Sequence, residues 1–243
     1  MNEIPAPLPV EEPALCADCG KPMPLCVCAA LQRHTNRVFV LVLRHPQEQD
    51  KILGTARLLT QQLDNSLLKT GLSWASLSQV LGRPTEAKKW GVLFLGSAKT
   101  AEPLPRQVLT ALTTKGMVAI DQTERLQSLE GIILLDGTWQ QAKALWWRNA
   151  WLLKCQRLVL QPPRRSLYGK LRREPRAESV ATLEAAAFAL AALEPEHEWE
   201  RQLLPAFQAL LQKVALLPTQ EKLKEALAGR KATKTKNAYK RRR

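Results

Sequence analysis

A carboxylate, a hydroxyl and an indole follow one apolar run closely enough to share a site. The run Gly131 to Leu135 is followed directly by Asp136, Gly137, Thr138 and Trp139. A helical pattern begins next, which predicts a buried strand carrying Asp136 at its carboxyl end and a backbone turn at Gly137. A carboxylate placed there can act as a general base. The same pattern also fits a helix capping box at Thr138, a second cap at Asp136 and a core residue at Trp139.

Four cysteines near the N-terminus have the spacing of a metal site. Cys16 and Cys19 form one close pair, and Cys26 and Cys28 form a second after a short turn. Two such pairs can surround one tetrahedral Zn²⁺, which would supply the folding energy that so short a segment lacks. Disulfides are the alternative. They are less expected because the sequence shows no secretory signal, which predicts a reducing, cytoplasmic location. Cys155 is isolated and is expected to be a core thiol.

The charge of the chain indicates its class of partner. Lys and Arg number 36 against 22 Asp and Glu, a net charge of +14. Residues 230–243 hold eight basic residues and no acid, so they are predicted to be a solvated tail, and the remainder is still basic. Such a surface binds phosphate backbones. A long apolar segment or a lipidation motif is not found, so nucleic acid is expected as partner and a membrane is not. No obligate protein partner is predicted.

The elements that must position these groups alternate between short apolar strands and helices. That alternation predicts an α/β fold, with a mostly parallel sheet and flanking helices. The predicted strands are Arg37–Leu43, Val92–Leu95, Ile132–Leu135 and Leu158–Leu160, and the predicted helices are Lys51–Leu63, Ser73–Leu81, Glu178–Leu193 and Trp199–Leu217. The expected organisation is a disordered leader (1–13), a zinc knuckle (14–30), a catalytic domain (31–218) and a basic C-terminal tail (219–243).

Residues able to do chemistry cluster where the predicted strands end. Parallel strands would bring these groups to one edge of the sheet, where a pocket is expected. His45, which precedes a proline, also fits a turn residue, and the arginines of the last loop also fit a solvated face. Three further tryptophans, Trp146, Trp147 and Trp151, are expected to pack rather than to stack on bases. The four groups are Arg44-His45, Gly96-Ser97, Asp136 to Trp139, and residues 164–176.

Several of these segments, taken in order, resemble the DTW-domain family over roughly residues 14–195. Asp136-Gly137-Thr138-Trp139 resembles the signature of the family, and Arg44-His45-Pro46 resembles its His-Pro loop. Residues 168–175 resemble its arginine-rich loop. Residues 179–185 resemble the start of its Ser-Thr-Leu-Glu-Ala helix, with Ala181 where the family usually has serine. The cysteine knuckle lies in front, as in that family.

The resemblance implies a fold and an activity. DTW-domain proteins are similar to SPOUT-type enzymes, whose sheet carries a trefoil knot. The family includes tRNA-uridine aminocarboxypropyltransferases, which transfer the 3-amino-3-carboxypropyl group of S-adenosylmethionine to N3 of a uridine. Bacterial members act at position 47 in the variable loop of tRNA and leave methylthioadenosine. By this resemblance Asp136, Thr138 and Trp139 are the candidate catalytic residues. The candidate cofactor-binding residues are Arg44, His45, Gly96, Arg172, Thr182 and Glu184.

Roles within that set follow from the chemistry of the transfer. Asp136 is the candidate base for the N3 proton, and Trp139 can wall the adenine or flank the target base. Arg44 and Arg172 both suit the donor's carboxylate, and the sequence does not choose between them. A SPOUT-like RNA methyltransferase or a ribosomal RNA aminocarboxypropyltransferase would use the same pocket. A non-catalytic zinc-knuckle RNA-binding protein would leave Asp136 without a purpose.

Overall fold

A mostly parallel sheet carries Arg44 and Asp136 at the ends of two neighbouring strands. The computed structural model describes residues 14–93, 104–113, 115–169, 171 and 179–217. Within these residues six strands form one sheet in the order β2-β1-β5-β3-β6-β4, in which neighbours run parallel except for the antiparallel pair β6 and β4. The strands are β1 (Phe39–Arg44), β2 (Ser66–Thr70), β3 (Trp90–Leu93), β4 (Leu109–Leu112), β5 (Gly131–Asp136) and β6 (Gln156–Leu160).

Strand β1 shows why apolar runs become central strands here. Val40 and Val42 face one core cluster, while Leu41 and Leu43 face the other, and all four are fully buried. Because side chains alternate across a strand, burial on both faces needs an unbroken apolar sequence. The expectation of a strand covered on both faces is confirmed.

Helices cover the two faces of the sheet. Helices α1, α5 and α6 contribute to the first core cluster, together with the cysteine knuckle, while α2 and α4 pack on the second. The helices are α1 (Ala56–Gln62), α2 (Leu77–Leu81), α3 (Gln122–Gln127), α4 (Trp139–Arg148), α5 (Thr182–Leu193) and α6 (Trp199–Ala215). Among the described helices, none is long and apolar enough to cross a membrane.

The α/β class and all four predicted strands are confirmed, with described bounds shifted by at most two residues; the predicted end of the second strand, at residues 94–95, lies outside the described residues. The four predicted helices are present, but α1 begins at Ala56, α2 at Leu77 and α5 at Thr182, each later than expected. A turn at residues 52–53 precedes α1. The packing predicted for three tryptophans is right for Trp146 and Trp151, which are buried. It is wrong for Trp147, which is 70% exposed. Cys155 is a buried thiol, as expected.

Candidate active site at the carboxyl edge of the sheet

Asp136 ends β5 at the edge where the parallel strands have their carboxyl ends. Its side chain is buried, with Asp136 only 9% exposed, and Oδ1 accepts a hydrogen bond of 2.5 Å from Oγ1 of Thr182. Thr182 is the first residue of α5 and lies 46 positions later in the chain. A carboxylate held by a hydroxyl at a strand end has a fixed orientation, which general base catalysis requires.

The turn after Asp136 is built for close packing of α4. Thr138 and Gln141 form a capping box: the Thr138 amide donates to Gln141 Oε1 at 2.6 Å, and Thr138 Oγ1 accepts from the Gln141 amide at 3.4 Å. Gly137 does not have a positive φ; a Cβ there would lie 2.8 Å from Cβ of Gln141. Gly137 is therefore required for space rather than for the backbone turn. Trp139 opens α4 and is 37% exposed.

Arg44 ends β1 directly beside Asp136 in the register of the sheet. The guanidinium is held from the far side, since Nε and Nη2 both donate to Oγ1 of Thr70, at 3.0 and 2.9 Å. Burial lowers the pKa of Arg44, which is only 5% exposed, and the charge of Asp136 opposes that effect. A fixed, buried cation thus lies next to the carboxylate.

The His-Pro turn joins these two strands. The His45 amide donates to the backbone oxygen of Asp136 at 3.0 Å, and His45 Nδ1 accepts from the Gln47 amide at 3.3 Å. Gln47 in turn accepts from the Gln141 side chain at 3.0 Å. His45 therefore caps the short helix Pro46–Glu48 and lies next to Asp136 at the carboxyl edge of the sheet.

Glu48 is a site residue that the sequence did not single out. It is 8% exposed and lines the cleft that also contains Arg44 and Asp136. Its Oε1 is buried and has no hydrogen-bond partner among the described residues. A buried carboxylate oxygen without a donor is costly, so this atom marks a position where a ligand donor would be stabilised.

Glu184 supports a neighbouring loop. Its carboxylate accepts from Ser166 Oγ at 2.6 Å and from the amides of Leu167 and Ala181, each at 2.8 Å. Ala181 has no hydroxyl, so only the glutamate half of a capping box is present at α5. In these contacts Glu184 fixes the segment after β6 against the start of α5.

Residues 49–55, called the 49–55 loop from here on, are held from three distant parts of the chain. Lys21, which is 4% exposed, donates from Nζ to the backbone oxygens of Ile52 at 2.6 Å and Gly54 at 2.7 Å. The Tyr168 hydroxyl donates to the oxygen of Leu53 at 2.7 Å, and Oγ1 of Thr55 accepts from the Leu183 amide at 3.2 Å. Lys21 could not be recognised from the sequence, because a charged residue in a turn is usually solvated.

The cleft beside the 49–55 loop is narrow. It is lined by residues of the cysteine knuckle, of that loop and of the two strand ends, and its cavity volume is about 10 Å³, room for one water molecule. Cys19 belongs to its knuckle wall, and its charged lining residues are Lys21, Arg44, Glu48, Asp50, Lys51, Arg57 and Asp136. Two other predicted site residues, Gly96 and Arg172, lie outside the described residues.

The four knuckle cysteines converge as a metal site requires. Their sulfur atoms lie within 4.8 Å of one another, with 3.8 Å between those of Cys16 and Cys28 and 3.9 Å between those of Cys19 and Cys26. A tetrahedral Zn²⁺ with Zn–S bonds of about 2.3 Å places its sulfurs about 3.8 Å apart. A hydrogen bond from the Cys19 backbone is the main cause that lowers the pKa of the Cys16 thiol to about 7, whereas burial raises the pKa of the Cys19 and Cys28 thiols, so the sulfur distances carry the assignment. The cluster therefore fits zinc.

Comparison with known proteins defines the class. A DTW-domain family model matches residues 13–215, so the chain belongs to the DTW-domain family. Its relatives include proteins named tRNA-uridine aminocarboxypropyltransferase 2 from Macaca fascicularis and Mus musculus, each 28% identical over 199 residues. These alignments cover 80% of this chain, which spans only 61% of the length of either relative. A protein of the same name from Drosophila melanogaster is 25% identical over 205 residues, covering 80% of this chain and 72% of the relative. No solved structure matches.

Proposed function

We propose that this protein transfers the 3-amino-3-carboxypropyl group of S-adenosylmethionine to N3 of a uridine in tRNA. The names of its relatives support the reaction class, and the pairing of Asp136 with Thr182 at the carboxyl edge of the sheet is the observation that carries it. The uridine is proposed to be position 47 of the variable loop. The SPOUT-like knot and a cytoplasmic location are retained as predictions.

In the proposed reaction Asp136 takes the proton from N3. The nitrogen then forms a bond to the donor's propyl carbon, the carbon–sulfur bond breaks, and its electron pair stays on sulfur as methylthioadenosine leaves. Thr182 holds the carboxylate in the orientation needed for the proton transfer. The donor supplies a carbon already activated by its sulfonium, so the task of the protein is orientation.

Arg44 and Glu48 suit the amino-acid end of the donor. Both are buried in the same cleft as Asp136, and they carry the charges that an α-carboxylate and an α-ammonium need. Glu48 Oε1 has no donor among the described residues, so an ammonium would satisfy it. Holding this end would turn the propyl carbon, rather than the methyl group, toward N3. Because the cleft has room for little more than one water, at least one of its walls must move when the donor enters.

Zinc is proposed to hold the knuckle in place rather than to take part in the transfer. Lys21, a residue of the knuckle, donates hydrogen bonds to the 49–55 loop. The knuckle is in turn held by Lys213 of α6, which donates to the backbone oxygen of Cys26. Bound metal would supply the folding energy of this segment. The roles predicted for the other candidate residues stay predictions: Thr138, Trp139, His45, Gly96, Arg172, Glu184 and, for cofactor binding, Thr182.

The test is to incubate the protein with S-adenosylmethionine and unmodified tRNA, then to weigh the nucleosides after digestion. Aminocarboxypropyl-uridine together with methylthioadenosine is expected, and Asp136→Asn should abolish both. Glu196→Gln, an exposed carboxylate far from this edge, is the matched control. Glu48→Gln should lower yield and raise the share of methyl transfer.

Other products would change the assignment. Methylated nucleosides with S-adenosylhomocysteine from the unmutated protein would keep the pocket and refute the proposed orientation. Product from ribosomal RNA alone would refute tRNA as substrate. An absence of product with either RNA, while tRNA binding persists, would favour a non-catalytic binding protein.

A further inference from the structure

Helix α4 presents an aromatic and basic stripe to solvent. Trp139, Lys143 and Trp147 recur every four residues, which places them on one side of the helix, and all three are exposed. Leu145 lies on the opposite side and is buried, and Trp146, which follows Trp139 by two helical turns, is buried beside the stripe. At 1.5 Å per residue the two exposed tryptophans are separated by about 12 Å along the helix axis, with Lys143 about 6 Å from each.

The exposure of Trp147 has no explanation within the fold. It is 70% exposed, although α4 packs well through its other face. An exposed indole of this size next to a lysine is the arrangement by which proteins stack on unpaired bases and hold the phosphate between them. Trp139 at the start of the helix is 37% exposed and lies three residues after Asp136.

The segment of the sequence that contains α4 carries charges of one sign. Residues 137–173 contain nine Lys and Arg and no Asp or Glu. Lys143 and Arg148 make no ion pair with any described residue. Exposed cations that are not engaged in ion pairs attract a polyanion, whereas protein interfaces are depleted in lysine. RNA therefore fits this face better than a second protein surface does.

We propose that the stripe Trp139, Lys143 and Trp147 is the docking surface for single-stranded nucleotides beside the target uridine. Bases stack on the two indoles, and Lys143 contacts the phosphate between them. The helix begins at the catalytic edge, so RNA bound along it leads directly to Asp136. This inference rests on the proposed function only in taking RNA as the partner; it does not depend on which group is transferred.

Binding of labelled tRNA without S-adenosylmethionine tests the surface directly. Trp147→Ala should weaken the Kd by roughly 5- to 100-fold, the loss expected for one stacked base. Lys143→Gln should lower the slope of log K against log salt by about 1, as loss of one phosphate contact requires. Matched controls are Ile120→Ala and Lys115→Gln, exposed residues just after β4 at the far edge of the sheet, which should bind as the unmutated protein does.

Two further measurements separate docking from other roles. In steady-state turnover Trp147→Ala should raise KM for tRNA and leave kcat unchanged at saturating tRNA. Hydroxyl-radical footprinting of the unmutated protein should show Trp147 protected by tRNA, and Met117, another exposed and reactive side chain, unprotected.

Several results would overturn the proposal. A Kd within twofold of the unmutated protein, or an unprotected Trp147, excludes docking on this face. If Trp147→Ala changes the oligomeric state but not tRNA affinity, the stripe is a protein interface. Loss of aminocarboxypropyl-uridine formation is scored separately, so a failed activity assay with intact Trp147-dependent binding would refute only the proposed function.

Discussion

The hydrogen bond between Thr182 and Asp136 can be removed almost without changing shape. Thr182→Val replaces the hydroxyl by a methyl group and keeps the branched side chain at the first position of α5. Oδ1 of Asp136 then loses its 2.5 Å donor. The backbone of α5 should be unaffected, because valine and threonine have similar helix propensities.

The expected size of the effect follows from the surroundings of the bond. A hydrogen bond to a charged group contributes about 1.5–3 kcal/mol. Asp136 is 9% exposed, so solvent does not take over the role of the hydroxyl. Taking about 2 kcal/mol as the loss in the transition state gives a decrease of roughly 30-fold in kcat. The free energy of unfolding should fall by about 1–3 kcal/mol, since the oxygen stays buried.

The assay is formation of aminocarboxypropyl-uridine at saturating donor over a range of tRNA concentrations. The decrease should appear in kcat and leave KM for tRNA unchanged, because Thr182 holds the base and lies away from the α4 stripe. Thr182→Ser restores the hydroxyl and should recover activity to within about threefold of the unmutated rate. A folded Thr182→Val protein that turns over within about threefold of that rate would refute the reasoning.

Three further changes test the surroundings of the site. Of the five thiols, the four of the knuckle should react with a colorimetric thiol reagent only after zinc is chelated, and Cys155 only after unfolding. Burial raises the pKa of Cys155 to about 12, so its reactive thiolate is nearly absent at pH 8 and increases only as the pH approaches 12. If a fifth thiol of the folded protein reacted as fast as the four knuckle thiols after chelation, this explanation would be contradicted. Lys21→Met leaves two carbonyls of the 49–55 loop without a donor, which should lower the free energy of unfolding by about 1–3 kcal/mol and speed hydrogen exchange in that loop. Unchanged hydrogen exchange would show that Lys21 does not hold the loop. Gly91→Ala puts a Cβ 2.2 Å from Cδ1 of Leu158, so the melting temperature should fall by an amount equivalent to about 1–3 kcal/mol. An unchanged melting curve would show that β3 and β6 can move apart at no cost in free energy.

Much of the framework was predictable from local patterns. Unbroken apolar runs identified the four strands that are buried in the middle of the sheet, since burial on both faces needs such runs. Because those strands are parallel, the groups that follow Arg44 and Asp136 lie at one edge, as predicted. The capping box at Thr138 was also visible, because it depends only on residues four positions apart or less.

What escaped prediction depends on contacts between distant residues. The antiparallel strand β4 and helix α3 lie in a region without clear periodicity, and partners supplied by other elements stabilise them. Thr182 is predicted from the sequence to bind cofactor, but its hydrogen bond to the carboxylate of Asp136, 46 residues away, was not foreseen. Lys21 and Glu48 looked like ordinary surface charges, and only the fold shows that both are buried.

The hydrogen bonds that hold the 49–55 loop join parts of the chain that the ribosome makes at different times. They reach 31 and 33 residues back to Lys21, 115 residues forward to Tyr168 and 128 residues forward to Leu183. Asp136 likewise precedes Thr182 by 46 residues, so it leaves the ribosome before the start of α5 does. Products of aborted translation would carry the family signature without a completed site. Chains released before residue 182 would lack the hydroxyl that holds the carboxylate of Asp136 in place.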